Sequence, residues 1–235
     1  MSRIILPLAL IAAALFAAAC GGDDDAPPAI SVADAEARLS AAVLRLDDIG
    51  GDYMEHTASV RTNEQQALAR PDPDVAREQY EEWGQVLGYN VRYDAPPSAD
   101  LLLNNKTARV MNAATLYTSE KGAASALDFV RGVPPEAIAA FIQSGNSGGE
   151  ATLSDTRVTK DIEFPARGDE SFAFRVAGKA TFPDGFTVNY VADVVFVRVG
   201  ATTGNVVTIA LGQPPQRDEL VALLDRFIEK VRAAG

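Results

Sequence analysis

The strongest pattern in the chain lies at its C-terminal end. In RDELVALLDRFIEKVRAAG, residues 217–235, Leu220, Leu223, Leu224, Phe227, Ile228 and Val231 recur at steps of three and four. That spacing places them on one stripe of an α-helix. Asp218 and Glu219 open the segment and Lys230 and Arg232 close it, which suits the helix macrodipole. Upstream the period changes to two. Phe172, Phe174 and Val176 alternate with polar or small residues, and Pro183-Asp184-Gly185 is a turn signal. Phe186, Val188, Tyr190, Val194 and Phe196 then share one face of a second strand. Its other face changes from Thr187 and Asn189 to Val191, Val195 and Val197, as expected for a strand covered on both sides at one end. After GATTGN (200–205), VVTIAL returns. This succession predicts antiparallel hairpins.

The first half reads mainly as helices. Ser31 is an N-cap for SVADAEARLSAAVL (31–44), with Asp34 at the third helical position, and DDIGGDY (47–53) ends that helix. In PDPDVAREQYEEWGQVLG (71–88), Asp72 is a cap and Pro73 suits the first turn. Gly88 suits the end, and Ala76, Tyr80, Trp83 and Leu87 lie on one face. YNVRYDA (89–95) reads as a strand. TARVMNAATLYTS (107–119) reads as another, with Val110, Ala114 and Leu116 on one face and Met111 and Tyr117 on the other. Ser119 caps EKGAASALDFVRG (120–132), and Pro134 and Pro135 start a further helix. The predicted class is α+β: an antiparallel β-sheet, built as a meander, with helices packed on it and a closing C-terminal amphipathic helix.

The N-terminus does not belong to this pattern. MSRIILPLALIAAALFAAAC has one cation, Arg3, and then an uncharged run from Ile4 to Ala19. That run is short of the about 20 residues a membrane span needs, and fits a signal-peptide core. Ala18-Ala19-Cys20 resembles a bacterial lipoprotein signal, in which small residues precede a cysteine that is acylated and becomes the mature N-terminus. Cleavage of an ordinary secretory type at Ala17-x-Ala19 is also permitted. Cys20 is the only cysteine, so no internal disulfide can use it. It is followed by GGDDDAPPAI, a polar stretch unable to build a core. The expected organisation is a signal peptide over 1–19, a lipidated Cys20 with a flexible acidic tether over 20–30, and a single α+β domain over 31–235.

Composition narrows the function classes. With 32 acids against 21 bases the net charge is −11. Such a chain is a poor partner for nucleic acid, whose phosphates need a basic surface. One His and one Cys exclude a Cys/His zinc site. Asp72, Asp74 and Glu78 could offer oxygens to calcium but read more simply as acids at a helix N-terminus. Neither a metal nor a cofactor is expected. Asn105-Lys106-Thr107 forms a glycosylation sequon, read as a chance match.

Gly145-Asn146-Ser147-Gly148-Gly149 resembles the nucleophile segment of chymotrypsin-like proteases, and His56 and Asp100 complete the order His, Asp, Ser. The context argues against a triad. A helical stretch precedes Ser147, no apolar strand follows it, and 31–55 lack the strands of a β-barrel. The G-x-S-x-G elbow of α/β-hydrolases also fails, because it follows a strand and precedes a helix. No catalytic residue is assigned.

Tyr80, Trp83, Tyr89 and Tyr93 cluster around one predicted helix end and the next strand. They are either core and rim aromatics or one wall of a ligand cleft between helix and sheet. Arg92, Arg109, Arg175 and Arg198 fall in predicted strands, where they are ion-paired or serve an anionic or glycan ligand. The candidate ligand-binding set is Tyr80, Trp83, Tyr93 and Arg109.

ATLYTSEKGAASALDFV, GDESFAFR and VVFVRVGATTGNVVTIALG resemble envelope lipoproteins. Less closely, they resemble the extracellular sensor domain of bacterial receptor-type Ser/Thr kinases. That resemblance implies an antiparallel sheet with packed helices and a ligand cleft. The disulfides of that domain have no counterpart here, and no ligand residues carry over. The expectation is a lipid-anchored protein on the extracytoplasmic face of the cell membrane. It would act as a non-catalytic module for a small ligand or an envelope partner protein. The alternative is an exported hydrolase using a carboxylate pair such as Asp169 and Glu170.

Overall fold

A computed structural model describes residues 30–96, 98, 101, 106–145 and 151–235. Cys20, its tether, Asp100, Asn105 and Ser147 lie outside the described residues. The chain runs α1 (Val32–Ala42), α2 (Leu46–Ile49), β1 (Met54–Arg61), α3 (Asn63–Leu68), α4 (Pro73–Glu82), β2 (Gln85–Asp94) and β3 (Thr107–Tyr117). It continues through α5 (Glu120–Gly132), α6 (Pro135–Gly145), β4 (Thr152–Lys160), β5 (Glu170–Thr181), β6 (Thr187–Val199), β7 (Thr202–Leu211) and α7 (Arg217–Ala234). The strands form one antiparallel sheet in the order β1-β2-β3-β7-β6-β5-β4. It comprises two meanders, β1–β3 and β4–β7, joined where β3 pairs with β7. The α+β class is therefore correct, with two meanders in place of one.

Caps behave as their chemistry dictates. The side chains of Ser31, Asp72 and Ser119 accept backbone N–H bonds at the starts of α1, α4 and α5. One boundary differs from the sequence reading. The helix expected to end at Gly88 stops at Glu82, and residues 85–88 are already strand. Gly84, at φ +63°, is the actual break. A Cβ there would lie 2.1 Å from the Thr118 hydroxyl oxygen, so both backbone conformation and space select glycine. Leu87 faces the core as a strand residue rather than as the fourth member of a helical stripe. β1 and α3 were not visible in the pattern, because MEHTASVR lacks a clean apolar alternation.

Each sheet face carries its own core. On the first face α1, α2 and α7 cover Val91, Tyr93, Val110, Ala114, Val195, Val197 and Val206. The whole α7 stripe is buried there, and each such side chain contributes about 1.5–3 kcal/mol. Phe227 lies so close to β7 that a Cβ on Gly204 would meet its ring at 2.3 Å. On the second face Phe174, Val176, Tyr190, Val194 and Val207 form a cluster completed by Ile138 and Ile142 of α6. Among the described residues, each face of the sheet thus carries a packed apolar cluster. Among the described residues no helix is long and apolar enough to cross a membrane.

Candidate functional site

The sheet alternation decides where the sequence-selected residues go. Tyr93 pairs with Val110, and both point to the first face. Asp94 pairs with Arg109 on the second. Tyr80 and Trp83 sit at the opposite end of β2, where the Trp83 ring packs at a 52° tilt against Tyr80 (6.1 Å between ring centroids) and against Phe129 (5.3 Å). The structure thus does not bring the candidate set Tyr80, Trp83, Tyr93 and Arg109 together at one place. The strand period puts Tyr93 and Arg109 on opposite faces, and the length of β2 separates both from Trp83.

Arg109 belongs to a charged cluster. Its Nε donates to Asp94 at 2.6 Å, and Arg92 donates to the same carboxylate at 2.7 and 3.1 Å. His56 Nδ1 lies 3.5 Å from Asp94. Burial acts to raise the Asp94 carboxyl, but the hydrogen bonds from the two guanidinium groups outweigh it and hold it below the usual carboxylate range. Arg175 makes a two-point pair with the buried Asp193 (2.6 and 2.7 Å). Arg198 lies 3.3 Å from Asp169 and 3.7 Å from Glu170. Each of the four strand arginines thus has a carboxylate partner.

The carboxylate pair Asp169 and Glu170 is turned toward cations. Asp169 also accepts the Gly200 N–H at 2.7 Å, and Glu170 pairs with Arg131 at 2.7 Å. Wherever a carboxyl is displaced among the described residues (Asp48, Glu64, Asp94, Asp155), it is displaced downward. A general acid needs the opposite. Among the described elements the helix α6 ends at Gly145 and the strand β4 follows from Thr152, a helix-to-strand order that is the reverse of a nucleophile elbow. Among the described residues no group of three or more His, Cys, Asp and Glu converges as a metal site.

Tyr93 forms part of a true concavity. A cleft of about 390 Å³ lies between the α1–α2 junction and the β1–β2 ribbon. Tyr89, Val91 and Tyr93 make its floor, Val43, Leu44 and Leu46 one wall, and Ala58 and Glu55 the β1 side. Ser40, Arg45 and Asp47 stand on the rim. The wall is pinned. Leu44 N–H donates to Asn112 Oδ1 at 2.8 Å, and Tyr93 O–H donates to the Leu44 carbonyl at 3.0 Å. Asn112 Nδ2 in turn donates to the Asn205 carbonyl at 2.7 Å. Asp48, one turn further, accepts from Arg45 N–H and from Lys230 of α7, each at 2.7 Å, and Arg226 donates to its carbonyl. Burial, with Glu55 and Asp48 nearby, pushes the Tyr93 phenol up to about 12, so it stays a donor.

Sequence reasoning selected Tyr93 by its aromatic neighbours but missed Leu44, Arg45 and Asn112. Asn112, alternating in step with Val110 and Ala114, was the available signal: a polar side chain on an apolar strand face.

No protein-family model matches the chain, and no curated protein matches it. Among solved structures it is similar to the extracellular domain of PknH from Mycobacterium tuberculosis. Identity is 12%, 84% of this chain and 96% of that chain are covered, and the TM-score is 0.49.

Proposed function

We propose that the chain is a lipid-anchored extracytoplasmic module, held through Cys20, that binds a ligand in the α1–α2/β1–β2 cleft without chemical turnover. The observation that carries the binding reading is the pinned cleft itself. Its wall is fixed at Leu44 by two buried hydrogen bonds, while Tyr89 of the floor and Ala58 and Glu55 of the β1 side are reached by solvent. Ligand sites combine preformed walls, an apolar lining and a few placed polar groups. The rim offers Arg45 against Asp47 and Glu55, suited to a small amphipathic or zwitterionic molecule with an apolar part of one or two side chains.

The test is a thermal-shift screen of residues 30–235 against muropeptides, phospholipids and free amino acids. A ligand at 100-fold its dissociation constant stabilises the fold by about 2.7 kcal/mol. Ala58→Trp, which fills the cleft from an exposed strand position, abolishes the shift while leaving the unliganded melting point in place. If no compound moves the melting point, or if Ala58→Trp leaves the shift intact, the cleft is not the site.

A further inference from the structure

The cleft has a wall on one side only. Beyond Ala58 the floor ends at β1, the edge of the sheet, which pairs with β2 alone. Among the described residues no backbone hydrogen bond reaches its outer edge. An open edge is an invitation to another strand, and proteins usually blunt it. The other edge is blunted. β4 has an irregularity between Ser154 and Arg157, with Asp155 at φ 54° and bonded to Lys179 at 2.8 Å, and α6 packs against it. β1 has no such device over most of its length. Its one bulge lies between Glu55 and Thr57, and residues 57–61 run in regular register.

We propose that two copies of this chain pair antiparallel through β1 about a two-fold axis at Ser59, turning two half-open clefts into one trough. The inference rests on the cleft reading above. In this register Thr57 of one copy faces Arg61 of the other, and Ala58 faces Val60. Side chains of both copies then stay on matching faces, as strand pairing requires. Ala58 and Val60 lie on the cleft side, so the second copy extends the apolar floor and its α1–α2 junction supplies the missing wall. Between the two β2 strands the floor is three strand spacings, about 14 Å, wide. Charge favours a second copy at this place. The chain as a whole carries −11, but β1 itself holds one acid, Glu55, and one base, Arg61. A mixed patch can meet its own image where the rest of an acidic surface repels it. Leu46 and Met54, exposed at 41% and 57%, border the same edge and become covered.

The experiment uses residues 30–235. Sedimentation is expected to show a concentration-dependent species of twice the monomer mass. Ser59→Lys, which sets two ammonium groups face to face on the axis, is expected to weaken the association by about tenfold or more, with circular dichroism unchanged. Ser59→Cys gives the fragment a single thiol, because Cys20 lies outside it. Directly opposed residues of an antiparallel pair have Cα atoms about 4.5–5.5 Å apart, within disulfide reach. Oxidised glutathione, taking up the two electrons and two protons, should therefore link Ser59→Cys into covalent dimers. Thr57→Cys, about 14 Å from its own image in this register, should stay unlinked. A fragment that remains monomeric at every concentration overturns the pairing, and so do Ser59→Cys and Thr57→Cys linking equally. Neither result touches the ligand screen, so the two readings fail separately.

Discussion

Asn112→Ala tests whether the cleft wall is held as described. The Asn112 side chain is 1% exposed and serves two backbone groups, the Leu44 N–H and the Asn205 carbonyl. Removing it leaves the Leu44 N–H without a partner in a dry site, whereas the Asn205 carbonyl belongs to a strand paired on both sides and loses only its side-chain bond. A buried N–H so orphaned costs about 1–3 kcal/mol. For a domain of this length that is a fall of roughly 2–4 °C in melting temperature per kcal/mol. Urea unfolding of residues 30–235, followed by the fluorescence of Trp83, measures it. Tyr93→Phe removes only the bond to the Leu44 carbonyl and should cost about 1 kcal/mol. Since both side chains hold the same residue, the double variant should depart from additivity by at least about 0.5 kcal/mol. Hydrogen exchange at Leu44 should speed up in both single variants while the amides of β6 stay protected. A loss below about 0.5 kcal/mol for Asn112→Ala, the range of an ordinary surface change, would refute the pinned-wall argument.

The remaining predictions concern the core, alkaline pH and the anchor. Leu224→Ala, at a fully buried position of α7, should cost roughly 2–5 kcal/mol in urea unfolding; a loss under about half a kcal/mol contradicts the packing described. Gly204→Ala forces a methyl group onto the Phe227 ring and the Ala113 carbonyl and should cost about 1–3 kcal/mol, seen as a lower melting temperature. Tyr53, Tyr93 and Tyr117 are each raised from 10.0 to about 12, burial being the first cause. Because the folded values exceed the unfolded ones, the stability they contribute is whole below pH 10 and is lost as pH rises toward 12. Tyrosinate absorbance should therefore appear in two phases, the second coinciding with loss of circular dichroism. Cys20→Ser in the full chain should move the protein from the membrane to the soluble fraction or block processing; an unmodified residue 20 at the mature terminus, found by intact mass, contradicts lipidation.

How much the sequence disclosed depended on how repetitive the physics was. The α7 stripe and the alternation of Phe172, Phe174 and Val176 were legible because a single period runs through each. The caps at Ser31, Asp72 and Ser119 were legible because one side chain does the work locally. β1 was not, since an edge strand buries little and MEHTASVR needs no apolar alternation. The end of α4 was misplaced because Gly84 and Gly88 carry the same local signal. Only the approach of Thr118, far along the chain, selects the first of them. The cleft was half legible. Tyr93 stood out by type, but Leu44 and Asn112 meet across 68 residues, a contact that no local pattern encodes. Tyr80 and Trp83 were grouped with Tyr93 by nearness in sequence, and Arg109 was added as a strand arginine; strand alternation and strand length then undid the grouping.

The junction of the two meanders has a consequence for folding kinetics. β3 and β7 pair Thr107 with Ala210 and Leu116 with Thr202, so the midline of the sheet closes between segments roughly a hundred residues apart. Hairpins within each half are local and can form in microseconds, whereas closing a long loop has an entropic cost to meet before any midline contact stabilises it. Until β7 arrives, β3 is a long apolar edge with Val110, Ala114 and Leu116 uncovered. Synthesis proceeds from the N-terminus, so this vulnerable intermediate persists for as long as the second half takes to emerge. Aggregation during production should accordingly track truncation before Leu211 far more steeply than it tracks changes at either outer strand.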